Sequence, residues 1–230
     1  QLLKERLPGL TFSATAGLSL GEFTALAAAG VMSFEDGLRV VRERGKFMQE
    51  ACDATKGGMA AIIGLEEAPT REVCSEAGVD LANLNCPGQI VISGATEKIT
   101  KACDLARAKG AKRALPLPVA GAYHSRLMAS AQPKLESVLA KVAFSEQIVP
   151  VISNVTARPH GQPDEVRDRG AIDLEPSGQL VLRAAVALDV LPERDRLLNR
   201  IEILALQVLD DRQLGRQAIV GFDHACRHAR

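Results

Sequence analysis

Aromatic residues are scarce, with no tryptophan, one tyrosine and six phenylalanines in 230 residues. A surface that stacks nucleobases needs aromatic faces, so this composition argues against that class of function. Neither sign of charge dominates, since 28 lysines and arginines balance 28 aspartates and glutamates. Without a global basic field, nothing draws the chain to nucleic acid or to an anionic membrane surface. No apolar run approaches the roughly 20 residues of a membrane span. The opening QLLKERLPGL carries charge where a signal peptide needs an apolar core. The five cysteines (Cys52, Cys74, Cys86, Cys103 and Cys226) are odd in number and scattered, with no CxxC pair. They read as free thiols of a reducing, cytoplasmic compartment. There is no initial methionine, which leads us to expect a chain that begins inside a longer protein.

What is present is an ordinary globular composition, 47% hydrophobic and 24% charged. The length suits one good-sized domain or two small ones. Residues 12–52 read as strand, tight turn, helix, turn, helix. Gly30 ends the first helix and Ser33 caps the second, with Asp36 three residues on. Residues 57–118 have another rhythm. MAAIIG, the helical EEAPTREVCSEAG, LANLN, a turn at Cys86-Pro87-Gly88, QIVISG, the amphipathic EKITKACDLARAKG and AKRALPL give the order β-α-β-β-α-β. That order predicts a ferredoxin-like subdomain inserted in a larger α/β unit formed by residues 1–56 and 119–160. VAGAYHSRLMAS reads as loop turning into helix, and VPVISNVTA as a strand. After about residue 161 the chemistry changes, because no lysine follows Lys141 while eleven arginines do. Residues 161–230 are therefore expected not to share the fold.

Gly17-Leu18-Ser19-Leu20-Gly21 is a G-x-S-x-G pattern between a strand and a helix, the context a nucleophile elbow requires. The glycines permit a sharp turn that projects the Ser19 hydroxyl. The Leu20 N–H, at the helix N-terminus, is the candidate oxyanion donor. The alternative is a glycine-bounded turn in which Ser19 only caps the helix. A serine nucleophile needs a base. Of four histidines, His124 lies in a loop entering a helix, Gly121-Ala122-Tyr123-His124-Ser125, and is the best candidate. His160 follows a strand in a Pro-Gly-rich turn and reads as a surface residue. His224, Cys226 and His228 form an HxCxH cluster near the chain end that we read as incidental, so no metal site is expected.

On the helix around Arg44, Leu38, Val41, Gly45 and Met48 form an apolar stripe, and Arg44 falls about 60° from Val41 at about 100° per residue. An arginine there is drawn inward and needs an anionic partner. A substrate carboxylate, an internal ion pair or a snorkelling side chain would each satisfy it.

GLSLGEFTALAAAG, RVVRERGKFMQEA, GGMAAIIGL, NLNCPGQIVISG, AKRALPLPVAGAYHS and VPVISNV resemble, in order and spacing, stretches of bacterial malonyl-CoA:acyl carrier protein transacylases. The resemblance runs from about Thr15 to His160. It implies an α/β-hydrolase-like large subdomain with a ferredoxin-like small one. It also implies ping-pong transfer of malonyl from malonyl-CoA to acyl carrier protein in fatty acid biosynthesis, with no further cofactor. Ser19 would carry the malonyl ester, His124 would act as base, and Arg44 would grip the malonyl carboxylate. Met48 would lie near the acyl pocket, and Tyr123 before His124 looks like the malonyl-selective form of this motif. Three departures stand out. Leu18 replaces the usual histidine before the nucleophile, the Gly-Gln-Gly oxyanion loop is missing, and the tail lacks the family's C-terminal motifs. A truncated, partly out-of-frame product is the corresponding expectation. The alternatives are an inactive fragment that at most binds coenzyme A or acyl carrier protein, and a serine esterase or thioesterase. A carboxylate-binding Arg44 has no task in a neutral-ester hydrolase.

Overall fold

In the computed structural model, residues 11–163 are described, together with Arg6 and Val166. The chain divides into two units, Gln1–Leu182 and Arg183–Arg230, and every described residue belongs to the first. The expected change of fold after residue 161 and the His224–Cys226–His228 cluster thus fall outside the described residues, apart from positions 161–163 and 166.

Two short strands anchor the elbow. Thr15–Ala16 (β1) pairs in parallel with Val151–Ile152 (β6). Both are shorter than the apolar runs around them predict. Gly17 turns the chain out of β1. After Ile152, the Ser153 hydroxyl accepts from Val155 N–H at 3.2 Å and Thr156 N–H at 3.3 Å, which bends the backbone away from extension.

β1 leads into helix α1, Leu20–Ala28. Gly30, at φ 76°, stops it, and Val31 N–H returns to Leu26 C=O at 3.0 Å. Helix α2, Phe34–Asp53, begins as the sequence predicts, with Ser33 Oγ accepting from Asp36 N–H at 3.0 Å. Its buried face is Gly37, Val40, Arg44, Met48 and Ala51. Leu38, placed on the apolar stripe by the sequence, is instead 52% exposed. The face that packs is turned toward Val40, so Arg44 lies near its centre. The core here gathers Phe23, Leu26, Val40, Leu135, Leu139 and Val151. Leu135 and Leu139 come from helix α5, Gln132–Leu139.

Residues 57–116 build a second layer. Strands β2 (Gly57–Ile63), β3 (Asp80–Cys86), β4 (Gln89–Ala95) and β5 (Arg113–Pro116) form one sheet in the order β3-β4-β2-β5, every pairing antiparallel. Helix α3 (Glu67–Ala77) connects β2 to β3, and α4 (Thr96–Ala108) connects β4 to β5. Side chains alternate across the sheet. Ala60, Ile62, Ile90 and Ile92 join Val73 of α3 and Ile99 of α4 in one core. Met59, Ala82 and Val91 point the other way, toward Leu117 and Tyr123. The mixed helices and sheets are the α/β class expected. Among the described residues, no helix is long and apolar enough to cross a membrane.

Candidate active site

Ser19 occupies the turn between β1 and α1 with φ 52° and ψ −113°. A positive φ is strained for a residue with a side chain and persists only where the surroundings fix it. Gly17 makes the turn possible, since a Cβ there would stand 2.0 Å from the Gly21 carbonyl carbon and oxygen.

His124 comes from the loop after β5, also at positive φ (54°), and is buried. Its Nε2 lies 3.0 Å from Ser19 Oγ. Ser125 supports this loop from behind, donating to Ala122 C=O at 2.6 Å and accepting from Leu127 N–H at 3.2 Å. The loop is pressed onto its neighbours. A Cβ on Gly121 would reach within 2.3 Å of Cys52 Sγ, and one on Gly57 within 2.6 Å of Ala122. Cys52 and Tyr123 share a hydrogen bond. Burial pushes the pKa of both groups up, and for the Cys52 thiol the Tyr123 bond partly offsets this. On the other side of the loop, Arg126 clasps the buried Asp80 at the start of β3. Its Nη2 donates to Oδ1 at 2.6 Å and its backbone N–H to Oδ2 at 2.9 Å. Its hydrogen bonds to the Asp80 carboxylate, and that group's charge, raise the Arg126 pKa above its ordinary value.

Arg44 is 5% exposed, and its Nη2 donates to Ser19 Oγ at 2.7 Å. A guanidinium has no acceptor, so Oγ is left to give its own proton to His124 Nε2. That requires the imidazole proton to sit on Nδ1. Arg44 and His124, 25 and 105 positions from Ser19 along the chain, therefore converge on one oxygen. The arrangement can deprotonate a serine hydroxyl beside a fixed positive charge, which is the equipment of an acyl-transfer nucleophile.

Residues 6–173 match the acyl transferase domain family. The chain belongs to that family. This acyl transferase domain is 47% identical over 173 residues to the malonyl CoA-acyl carrier protein transacylase of Bacillus subtilis strain 168, covering 73% of this chain and 55% of the relative. It is 48% identical over 157 residues to the enzyme of that name from Escherichia coli K12, covering 66% and 51%. The chain thus spans about half the length of the curated relatives it matches. Among solved structures, the malonyl CoA-acyl carrier protein transacylase of Coxiella burnetii superposes with a TM-score of 0.75 at 35% identity, covering 83% of this chain and 60% of that one. A malonyl-transacylase in complex with its type II polyketide acyl-carrier protein superposes at 0.76 and 35% identity, covering 84% and 63%.

Of the remaining sequence-predicted positions in the acyl transferase domain, Leu20 is the first residue of α1, so its N–H is one of the amides a helix start leaves without an intrahelical partner. Met48 is buried one turn beyond Arg44, within the large core. Among the described residues, no group of three or more His, Cys, Asp or Glu is placed to hold a metal.

Two residues beneath the elbow were not legible as site residues. Asn154 follows β6, and its Oδ1 accepts the Ser19 backbone N–H. Its own backbone N–H donates to Glu22 Oε1 at 3.1 Å. His160, read from the sequence as a surface residue, is 4% exposed, with Nε2 2.6 Å from the same Glu22 oxygen. The bend at Ser153 and the bond from His160 N–H to Val151 C=O at 2.8 Å fold it back against β6. A Pro-Gly-rich turn says where a chain bends, not which side of the bend is covered. The available signal was position: in α/β sheets, groups just past the strand ends tend to form the site.

Proposed function

We propose that the chain transfers a malonyl group from malonyl-CoA to the phosphopantetheine thiol of acyl carrier protein, in fatty acid biosynthesis. The observation that carries this reading is a buried arginine and a histidine converging on Ser19 Oγ, at 2.7 and 3.0 Å. A histidine alone would serve any serine esterase. The buried guanidinium selects an acyl group with its own carboxylate, which it would hold through charge-assisted hydrogen bonds in place of its contact with Oγ.

In the first half-reaction, Ser19 Oγ attacks the thioester carbonyl while His124 Nε2 takes the hydroxyl proton. The tetrahedral oxyanion is held by the Leu20 N–H at the positive end of α1. The C–S bond then breaks, coenzyme A leaves as its thiol with the proton from His124, and the malonyl-serine ester remains. In the second half, His124 takes the proton of the carrier thiol, sulfur attacks the ester carbonyl, and Ser19 Oγ leaves with that proton. Neither half consumes a metal or organic cofactor. Met48 would shape the acyl pocket from the Arg44 face of α2. A carrier protein as partner is supported by the complex formed by the similar malonyl-transacylase.

On this reading residues 1–56 and 119–160 form an α/β-hydrolase-like catalytic subdomain, and residues 57–118 form an inserted ferredoxin-like one. The strand order β3-β4-β2-β5 is the pairing a ferredoxin-like unit requires. The free thiols of Cys52, Cys74, Cys86 and Cys103 suit a cytoplasmic setting.

Intact mass spectrometry after incubation with malonyl-CoA tests the reading. One malonyl adduct on the folded parent, absent from Ser19→Ala, is the expected result. A folded parent that takes no adduct would overturn it.

A further inference from the structure

The nucleophile's own backbone amide is used up by a side chain from another part of the chain. Ser19 N–H goes to Asn154 Oδ1, and Asn154 is not free to swing. Its N–H is tied to Glu22 Oε1, and Glu22 sits on the first turn of the helix that Ser19 opens, with Glu22 N–H bonded to Ser19 C=O at 3.0 Å. The bonds close a ring: Ser19 to Asn154, Asn154 to Glu22, and Glu22 back to Ser19. His160 Nε2 holds the ring from below at 2.6 Å from Glu22 Oε1. Glu22, Asn154 and His160 are all at most 5% exposed. Burying a carboxylate, an amide and an imidazole together is costly unless each is paired, so the cluster demands a reason. Its outlet is the strained backbone of Ser19, at φ 52°.

We propose that Asn154, locked by Glu22 and His160, is a positioning residue for the Ser19 nucleophile. By taking the Ser19 N–H it fixes the turn that aims Oγ at His124 and Arg44. It also settles which amide faces the substrate. With the Ser19 N–H turned inward, the Leu20 N–H is the elbow's donor to the oxyanion. Asn154 touches neither substrate nor reacting atoms in this arrangement. It acts through the backbone, where a displacement of about 1 Å can cost on the order of a hundredfold in rate.

The inference rests on the acyl-transfer reading, and the experiment separates the two. The rate and the malonyl-CoA dependence of Ser19 acylation are measured by mass spectrometry on the full chain, for the parent, Asn154→Leu and Asn154→Asp. Leucine keeps the volume and removes the acceptor, whereas aspartate keeps an acceptor oxygen. Expected are a 10- to 100-fold slower acylation at saturating malonyl-CoA for Asn154→Leu, roughly, a half-saturating concentration close to the parent's, and recovery to within about tenfold in Asn154→Asp. Equal saturated rates for the parent and Asn154→Leu would overturn the proposal, as would a loss confined to half-saturation. Hydrogen exchange on the unmodified chain gives a reading that needs neither activity nor a folded variant. The Ser19 amide should exchange slowly and the Leu20 amide fast, and like exchange at both would overturn the proposal. A parent that takes no malonyl but shows the slow Ser19 amide would sink the acyl-transfer reading alone and leave the brace standing.

Discussion

Ser19 holds a backbone conformation that costs about 1–3 kcal/mol for a residue with a side chain, and Arg44 holds a charge away from water. Both are unfavourable locally and intelligible only together, because the guanidinium donates to the hydroxyl that the strained turn presents. The helical wheel put Arg44 at the edge of the apolar stripe, but packing turned it to the centre, since Leu38 is outside and Val40 inside. Replacing Arg44 by methionine keeps the buried length and removes the cation. If the guanidinium holds the malonyl carboxylate, half-saturating malonyl-CoA should rise by one to two orders of magnitude, since hydrogen bonds to a charged group are worth about 1.5–3 kcal/mol. Acylation by acetyl-CoA should not fall in parallel. Competition between the two thioesters, read by adduct mass, measures the change.

At the scale of elements, the elbow depends on how closely β1 approaches α1. The two glycines of the motif look equivalent in sequence and are not. A Cβ at Gly17 would collide with the Gly21 backbone at 2.0 Å, while a Cβ at Gly21 would meet nothing within 4 Å. Gly17→Ala should therefore lower the melting temperature markedly and abolish the Ser19 adduct. Gly21→Ala lies within a helix, where alanine is favoured over glycine by up to about 1 kcal/mol, so its melting temperature should hold or rise. Thermal unfolding of the pair, side by side, checks both signs. The cap at Ser33, the stop at Gly30 and the turn at Pro87-Gly88 were legible because each is chemistry between close neighbours in sequence. The lengths of β1 and β6 were not, because a strand's extent is decided by the partner it finds.

At the scale of the whole described unit, the large core and the small cluster of Met59, Ala82 and Val91 both pack against Tyr123 of the histidine loop. Arg126 reaches Asp80 on one side of it, and Gly121 lies against Cys52 on the other. The core between the four-stranded sheet and helices α3 and α4 buries a thiol, Cys74, whose pKa is pushed up to about 12, first by desolvation and then by the Asp80 charge. The ordinary value is 9.0. Between these two values the unfolded chain loses the proton while the folded chain keeps it. The resulting contribution to stability is complete below pH 9 and is lost as the pH rises toward about 12. Urea midpoints should fall across that window, and less steeply in Cys74→Ala than in the parent. The slope against pH is the quantity to compare, because the cavity left by alanine shifts the whole curve. Parallel slopes would remove Cys74 as a cause.

In the sequence, Arg44 is tied to the site only through the family resemblance; from its own residues the chain determined the order of elements from Phe12 to Pro116, the G-x-S-x-G turn, and the choice of His124 as base. Those features are written in periodicity, caps and residue chemistry, which act over a few positions. Only the tertiary structure decided that Arg44 faces inward onto Ser19 Oγ, that His160 is buried, and that Asn154 takes the Ser19 amide. Those outcomes join residues up to 138 positions apart. At such separations a polar group's partner is fixed by which surfaces exclude water together, and no local pattern along the chain encodes that.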